Sequence, residues 1–80
     1  KYYVALTVED TAGALSRIAD VWGRNGVSIA SISQSGSGEG TVPIIIMTHS
    51  ASENAVRASV KTLGELDCVK SVDSLIRVID

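Results

Sequence analysis

An acidic residue just before a predicted helix start offers the clearest binding chemistry in this sequence. Asp10 follows a strand pattern, and a helix pattern opens at Gly13-Ala14-Leu15. The first amide groups of a helix have no partner inside the helix, and the helix dipole favours an anion there. Asp10 would face an ammonium group while these amides face a carboxylate. Because Gly13 has no side chain to block that approach, the corner predicts a site for a zwitterion.

The same residues also have a purely structural interpretation. Acidic residues favour turns and helix starts because they accept local N–H hydrogen bonds. In that case Asp10 only caps the helix and Gly13 only eases the turn. From the residues alone, both interpretations stay open.

Other reactive residues indicate no catalytic centre. His49 is the only histidine, and a lone histidine after a strand lacks the partners of a catalytic set. Cys68 suits a small buried apolar role, and Trp22 lies on a predicted core stripe. The Gly-rich segment Ser35–Gly40 lacks the spacing and the Lys-Ser/Thr of a phosphate-binding loop, so it predicts a flexible hairpin loop.

Six segments carry strand or helix patterns. The predicted order is strand, helix, strand, strand, helix, strand, over residues 2–8, 13–24, 27–34, 41–48, 51–64 and 69–79. Ser50 and Glu53 match a capping box that would start the second helix.

Apolar periodicity indicates which residues form the core. The first strand alternates, with Tyr2, Val4, Leu6 and Val8 on one face. The predicted core stripes of the helices are Leu15, Ile18, Ala19 and Trp22 in the first and Val56, Val60 and Leu63 in the second.

The two middle strands differ in polarity. The second predicted strand is rich in serine, which suits a sheet edge, whereas the apolar run Val42–Met47 predicts an interior strand. In the second strand, alternation predicts that Val27 and Ile29 face the helices. The residues predicted to face away from the helices are Ser28, Ala30, Ile32 and Gln34.

This order predicts an α+β fold with ferredoxin-like βαββαβ topology, in which two helices cover one face of a four-stranded antiparallel sheet. The other sheet face would carry Tyr3, Ala5, Ile45 and Met47. Because that is a large apolar area for a monomer, a protein partner is expected.

Composition bounds the remaining possibilities. The 80 residues suffice for one domain, residues 1–80, and the net charge of −2 argues against nucleic acid or an anionic membrane as partner. A single cysteine predicts no internal disulfide and no Cys/His metal site, and it fits a reducing, cytoplasmic location. We expect no signal peptide and no membrane span. A start at Lys1 rather than Met suggests a fragment.

The whole chain resembles an ACT domain, a small ligand-binding module attached to enzymes of amino-acid metabolism. The matching segments are Tyr2–Val8, D-T-A-G-A-L-S-R-I-A, N-G-V-S-I-A-S-I-S-Q and the closing strand. Tyr2-Tyr3, V-P-I-I-I-M-T-H with Glu53 after it, and Ile76-Arg77-Val78 are similar to the C-terminal regulatory domain of homoserine dehydrogenase. The family usually has Asp-x-Pro-Gly at the turn. Ala12 replaces that proline here, so a less rigid turn is expected.

The resemblance implies an allosteric domain that binds an amino acid, with threonine favoured, and adjusts an NAD(P)-dependent dehydrogenase. The polar, edge-like second strand and the apolar run Pro43–Met47 predict a homodimer through contact between ACT domains. No catalysis by this chain is expected, since no G-x-G-x-x-G follows a strand. The ligand-binding residues that the resemblance implies are Asp10, Ala12, Gly13, Ala14, Leu15, Ser28 and Gln34. The threonine hydroxyl could bond to Ser28 or Gln34.

Three other classes of this topology are disfavoured. An RNA-binding sheet needs exposed aromatic and basic residues, a metal chaperone needs paired cysteines, and a small hydrolase needs an arginine-centred phosphate cradle. Two alternatives stay open: an ACT-like dimerisation scaffold without ligand binding, and an ACT domain of another enzyme of amino-acid metabolism.

Overall fold

The computed structural model describes residues 1–9, 12–34 and 40–79. The strands are β1 (Tyr2–Glu9), β2 (Ile29–Gln34), β3 (Thr41–Thr48) and β4 (Val69–Arg77), and the helices are α1 (Ala14–Arg24) and α2 (Glu53–Glu65). The predicted order of elements is confirmed, with boundaries that differ by one or two residues. The predicted hairpin loop, apart from Gly40, lies outside the described residues.

The four strands form one antiparallel sheet in the order β2-β3-β1-β4. The serine-rich β2 is an edge strand and the apolar β3 is interior, as their compositions predict. An interior strand is paired on both sides and tolerates an unbroken apolar run, whereas an edge strand meets solvent or a partner.

Both helices cover one face of the sheet, and the core lies between these layers. Alternate residues of β1 face the helices, as predicted, and they pair with the buried residues of β3. Trp22 is fully buried in this core. The predicted ferredoxin-like fold is therefore confirmed.

The core stripe of α1 differs from the prediction. Its buried residues are Ala14, Ile18, Val21 and Trp22, whereas Leu15 is 43% exposed and Ala19 is also exposed. Both stripes have helical spacing, and periodicity alone cannot choose between two that differ by a modest rotation of the helix. Packing selected the rotation that turns Trp22 fully inward and leaves Leu15 on a flank.

An irregularity in β2 reverses part of its predicted facing. Ile29 pairs with Thr48, but the next pair joins Ser31 to Met47, so Ala30 is an extra residue in the strand. A bulge of this kind shifts the alternation by one residue. Ile32 now pairs with the buried Ile46 and Gln34 with Ile44, which puts both on the helix-side face of the sheet. The prediction that they face away from the helices was wrong.

The start of α2 also differs from the predicted capping box. The N-cap is Ser52 rather than Ser50, and its hydroxyl accepts a hydrogen bond from the Ala55 amide at 3.1 Å. Ser52 is the N-cap because it directly precedes the first helical residue and its backbone is extended. An N-cap residue requires this geometry. Val56 and Leu63 are buried as predicted. The third buried residue of α2 is Ser59, while Val60 is half-buried against the core.

Neither of the two described helices covers the second sheet face. Tyr3 pairs with Met47 and Ala5 with Ile45, and all four are half-buried, while Ile76 beside Tyr3 is 53% exposed. The predicted apolar composition of this open face is confirmed.

Candidate functional site

The start of α1 combines exposed backbone with an exposed apolar side chain. Ala12 and Leu15 are exposed, and Ala14 is buried against the core. The Arg17 amide donates to the Gly13 carbonyl at 3.0 Å, so the amides of Ala14 and Leu15 precede the first intrahelical bond. These are the donors assigned to a ligand carboxylate from the sequence. Asp10, assigned to the ammonium, lies outside the described residues.

Gly13 is the residue at this corner whose type the backbone dictates. It is the N-cap of α1, with φ at +82°, a left-handed conformation that glycine adopts without strain. It makes no side-chain cap, and a Cβ built there would meet nothing within 4 Å among the described residues. Among the described residues, nothing therefore obstructs the approach of a ligand to the Gly13 backbone.

The two polar residues predicted for the ligand hydroxyl lie at opposite ends of β2. Ser28 precedes the strand and Gln34 ends it, a separation of about 20 Å at the usual strand rise. Gln34 lies at the sheet end where Glu9 of β1 pairs with Thr41, and from which the chain continues into α1. Ser28 lies at the other end, a few residues after α1 ends. Within one chain, only Gln34 shares an end of the sheet with the Gly13 corner.

An apolar flank of α1 faces the β2 side of the molecule. At about 100° per residue, Leu15 and Ala19 lie on one side of the buried stripe of α1, and Arg17 and Arg24 lie on the other. The arginine side lines a groove with α2, so the Leu15 side points toward β2. Ile32, 37% exposed on the helix-side face of β2, belongs to the same region. We call Leu15, Ala19 and Ile32 the edge patch. The patch could not be predicted from the sequence, because it depends on which side of α1 is buried and on the bulge at Ala30 in β2.

The opposite edge of the sheet carries paired charges. Asp73 on β4 accepts hydrogen bonds from the hydroxyls of Thr7 at 2.6 Å and Ser71 at 2.7 Å, and these donors lower its pKa. Lys70 forms an ion pair with Glu9, and the hydrogen bond and charge of Glu9 raise the pKa of Lys70. Each of these charges therefore has its partner on β1 or β4.

The reactive residues of the described segments are not grouped as a metal site. No three His, Cys, Asp or Glu side chains among the described residues are grouped as a metal would need. Cys68 is a buried free thiol, in line with its predicted apolar role, and His49 is exposed, with its backbone amide donating to the Ser28 carbonyl at 2.9 Å. No helix among the described ranges has the length and hydropathy of a membrane span.

A family model for the ACT domain matches residues 2–68. This chain belongs to the ACT domain family. The matched range includes β1, the Gly13 corner, both helices and β2, so every candidate ligand residue lies inside it. The predicted family is thereby confirmed.

Curated relatives of this ACT domain are homoserine dehydrogenases. The protein from Mycobacterium bovis is 37% identical over 87 aligned residues, which cover 98% of this chain and 19% of the relative. The protein from Synechocystis is 30% identical over 79 residues, which cover 99% of this chain and 18% of the relative. The chain thus spans about a fifth of the length of these relatives and matches their ACT region.

Solved structures agree with this assignment. A homoserine dehydrogenase from Thiobacillus denitrificans superposes with a TM-score of 0.87 at 29% identity, over 99% of this chain and 17% of that chain. The small subunit of acetolactate synthase from Thermotoga maritima has a TM-score of 0.74 at 22% identity over 89% of this chain, a likeness of fold alone.

Proposed function

We propose that this ACT domain, residues 1–80, is the allosteric amino-acid-binding domain of a homoserine dehydrogenase, with threonine as its ligand. The observation that carries the proposal is the match of nearly the whole chain to the ACT region of homoserine dehydrogenases. The left-handed turn at Gly13, beside amides that precede the first intrahelical bond of α1, supports a binding role for that corner.

The proposed site takes residues from two subunits. Its first half is Asp10 with Ala12, Gly13, Ala14 and Leu15, and Gln34 shares that end of the sheet. Ser28 of the same chain lies about 20 Å from Gln34, much farther than a threonine molecule extends. One threonine therefore cannot contact both residues in a single chain.

Antiparallel pairing of two β2 strands resolves this separation. If a two-fold axis passes through Ser31, the end of β2 next to Ser28 in one chain lies beside the end that carries Gln34 in the other. Ser28 of the partner subunit then lies near Gln34 and the Gly13 corner. The site would be complete only in the homodimer.

The edge patch supports the same homodimer. Leu15, Ala19 and Ile32 are exposed on the side of the molecule where a second β2 would pair. Burying them would add apolar contact to the backbone hydrogen bonds of the joined sheets. The merged sheet would contain eight strands.

The NAD(P) cofactor and the substrate would bind in a catalytic part of the longer protein. Threonine binding at a joint between two subunits could reach that part by changing how the two ACT domains associate. A buried, free Cys68 fits the reducing cytoplasm in which such a biosynthetic enzyme would work.

The proposal is tested by calorimetry with threonine on the parent sequence and on Asp10→Asn. Asparagine keeps the size of aspartate and a side-chain oxygen that accepts hydrogen bonds, so stability should change little. Loss of the charge facing the ammonium should weaken binding about tenfold or more. Glu53→Gln is the control, because it removes the same charge from the opposite end of the sheet. Equal threonine affinity in Asp10→Asn and the parent would contradict the role of Asp10.

Gly13 gives a second test of the corner. A valine at φ +82° would strain the backbone whatever ligand binds, so Gly13→Asn is the cleaner change, since asparagine tolerates this conformation. We expect Gly13→Asn to obstruct threonine, while Gly26→Asn, at φ +74° after the end of α1, binds it normally. If both variants bind threonine equally well, the Gly13 corner is not part of the binding site.

A dimerisation scaffold without a ligand is the second candidate function, and the exposed edge patch favours it. It predicts no heat and no stability change with threonine, isoleucine or methionine in a protein that is still a dimer. A ligand that binds only the native state must raise its apparent stability, so a thermal-shift screen of all twenty amino acids separates the two functions.

A further inference from the structure

A polar groove between the two helices is separate from the Gly13 corner. It has a volume of about 430 Å³ and is lined by Arg17, Asp20, Val21, Arg24, Asn25, Thr62 and Leu66. Small-molecule sites commonly have volumes of roughly 300–1,000 Å³. The groove lies on the flank of α1 opposite the edge patch, so pairing of β2 strands would leave it accessible.

Arg17 supplies an uncompensated cation to this groove. Arg24 is held by Asp20, with its Nε at 2.7 Å from the Asp20 Oδ2. Within the part of the chain that the structure describes, the Arg17 guanidinium has neither an ion pair nor a hydrogen bond. The lining thus has a net charge of +1 and a planar fork of N–H donors that matches a carboxylate.

The neutral polar residues of the groove offer acceptors instead. The Asn25 amide nitrogen donates to the Val21 carbonyl at 2.9 Å, so the Asn25 side-chain oxygen is left to accept. Thr62 donates its hydroxyl proton to the Ala58 carbonyl at 3.1 Å, so its lone pairs are also free to accept. These groups match a ligand donor near the carboxylate.

The remaining lining is apolar, and most of the carbonyls at the end of α1 already accept hydrogen bonds. Val21 is buried and Leu66 is half-buried, which suits a short aliphatic chain. The carbonyls of Val21, Trp22 and Gly23, near the end of α1, accept bonds from the amides of Asn25, Gly26 and Val27.

We propose that this groove binds a small aliphatic carboxylic acid that carries a hydrogen-bond donor beside its carboxylate. Arg17 holds the carboxylate, Asn25 and Thr62 accept from the donor, and Val21 and Leu66 contact the aliphatic chain. A 2-hydroxy acid and a 2-amino acid share this chemistry. The groove therefore differs from the Gly13 corner, where Asp10 requires an ammonium group.

The experiment is a titration followed by amide chemical shifts in ¹H–¹⁵N NMR spectra. The probes are 2-hydroxybutyrate, 2-aminobutyrate and butyrate, which has no donor beside the carboxylate. Since the groove is open, we expect dissociation constants on the order of 1 mM for the first two acids and weaker binding of butyrate. The shifts should centre on Val21, Asn25 and Leu66. Saturation by 2-hydroxybutyrate alone would identify a hydroxy acid, and saturation by 2-aminobutyrate alone an amino acid.

Arg17→Gln tests the assignment without threatening the fold, because Arg17 is exposed and glutamine is a good helix former. It should weaken both acids about tenfold, whereas Arg57→Gln, on the exposed surface of α2, should leave both unchanged. Groove shifts that persist in Arg17→Gln, or no groove shifts at tens of millimolar acid, would overturn the proposal (roughly ten times the expected constant). Binding of 2-hydroxybutyrate that survives Asp10→Asn would support the groove even if the threonine site is wrong.

Discussion

The two edge strands of the sheet, β4 and β2, each have one side without a partner strand, but their residues differ in how they affect pairing with another chain. β4 carries Lys70, Asp73 and Arg77, and its pairing with β1 has two register shifts. Charges and bulges are the usual means of keeping an edge strand from pairing with another chain. β2 has the sequence I-A-S-I-S-Q, with one bulge and no charged residue. The difference indicates that β4 is built to face solvent and that β2 is suited to pairing.

The side chains near each edge follow the same division. Beside β4, the polar groups pair with one another, as Asp73 does with Thr7 and Ser71 and as Lys70 does with Glu9. Beside β2, Leu15 and Ile32 are exposed hydrophobic residues. The difference between the two edges therefore predicts a single interface between subunits, at β2, and none at β4.

The largest effect is expected from Ile32→Lys. In a β2-paired dimer each copy would lose the burial of the 37% of Ile32 that is exposed in the monomer, worth roughly 0.5–1 kcal/mol. The change occurs twice in a symmetric dimer, so the dissociation constant should rise about tenfold. Sedimentation equilibrium measures this directly.

Ile76→Lys is the matched control for this change. Ile76 is more exposed than Ile32 and lies on the open face at the β4 edge, so its substitution should leave the dimer intact. If Ile76→Lys dissociates the dimer and Ile32→Lys does not, the subunits pair through the open sheet faces. The inference that β2 is the pairing edge would then be wrong.

A smaller effect tests the register of the pairing. With a two-fold axis through Ser31, this residue faces its own copy, so Ser31→Lys would place like charges opposite each other. Cross-strand pairs contribute roughly 0.2–1 kcal/mol, so the homodimer should weaken a few-fold. Mixing Ser31→Lys with Ser31→Asp should then favour the heterodimer, which native mass spectrometry can count. A statistical mixture would place the axis elsewhere.

The smallest effect is expected at β4, the edge strand that is suited to face solvent. Thr7→Val removes the first of two hydroxyl donors to Asp73, so the lowered pKa of Asp73 should rise toward its ordinary value of 3.8. A carboxylate with a lowered folded-state pKa stabilises the protein above its unfolded pKa, and this stabilisation is lost as the pH falls through the folded value. Thr7→Val should therefore reduce the loss of stability on the acid side.

An NMR titration of the Asp73 carboxyl group measures this shift. Thr41→Val is the control, because it makes the same change on β3 without touching Asp73. Dimerisation should be unaffected in both variants. A dimer weakened by Thr7→Val would mean that the β4 edge is not the solvent edge.

The sequence by itself determined the order of elements, the fold and the family. Alternation in Tyr2–Val8 and the unbroken apolar run in β3 are local patterns, and the polar composition of β2 identified an edge. These patterns depend on the spacing of side chains along one strand or helix, which the sequence states directly. The predicted binding corner came from the same kind of local reasoning, joined to the family resemblance.

Tertiary packing decided which side of each element faces inward. The extra residue Ala30 turned Ile32 and Gln34 to the helix side, and the rotation of α1 exposed Leu15 while burying Val21. A bulge depends on the partner strand, and a helix rotation depends on what fills the core, so neither is written in the local spacing. The separation of Ser28 from Gln34 likewise became visible only with the strand in place. The sequence could name both residues for a site, but only the sheet places them at opposite ends of one strand, because a strand is extended and rigid.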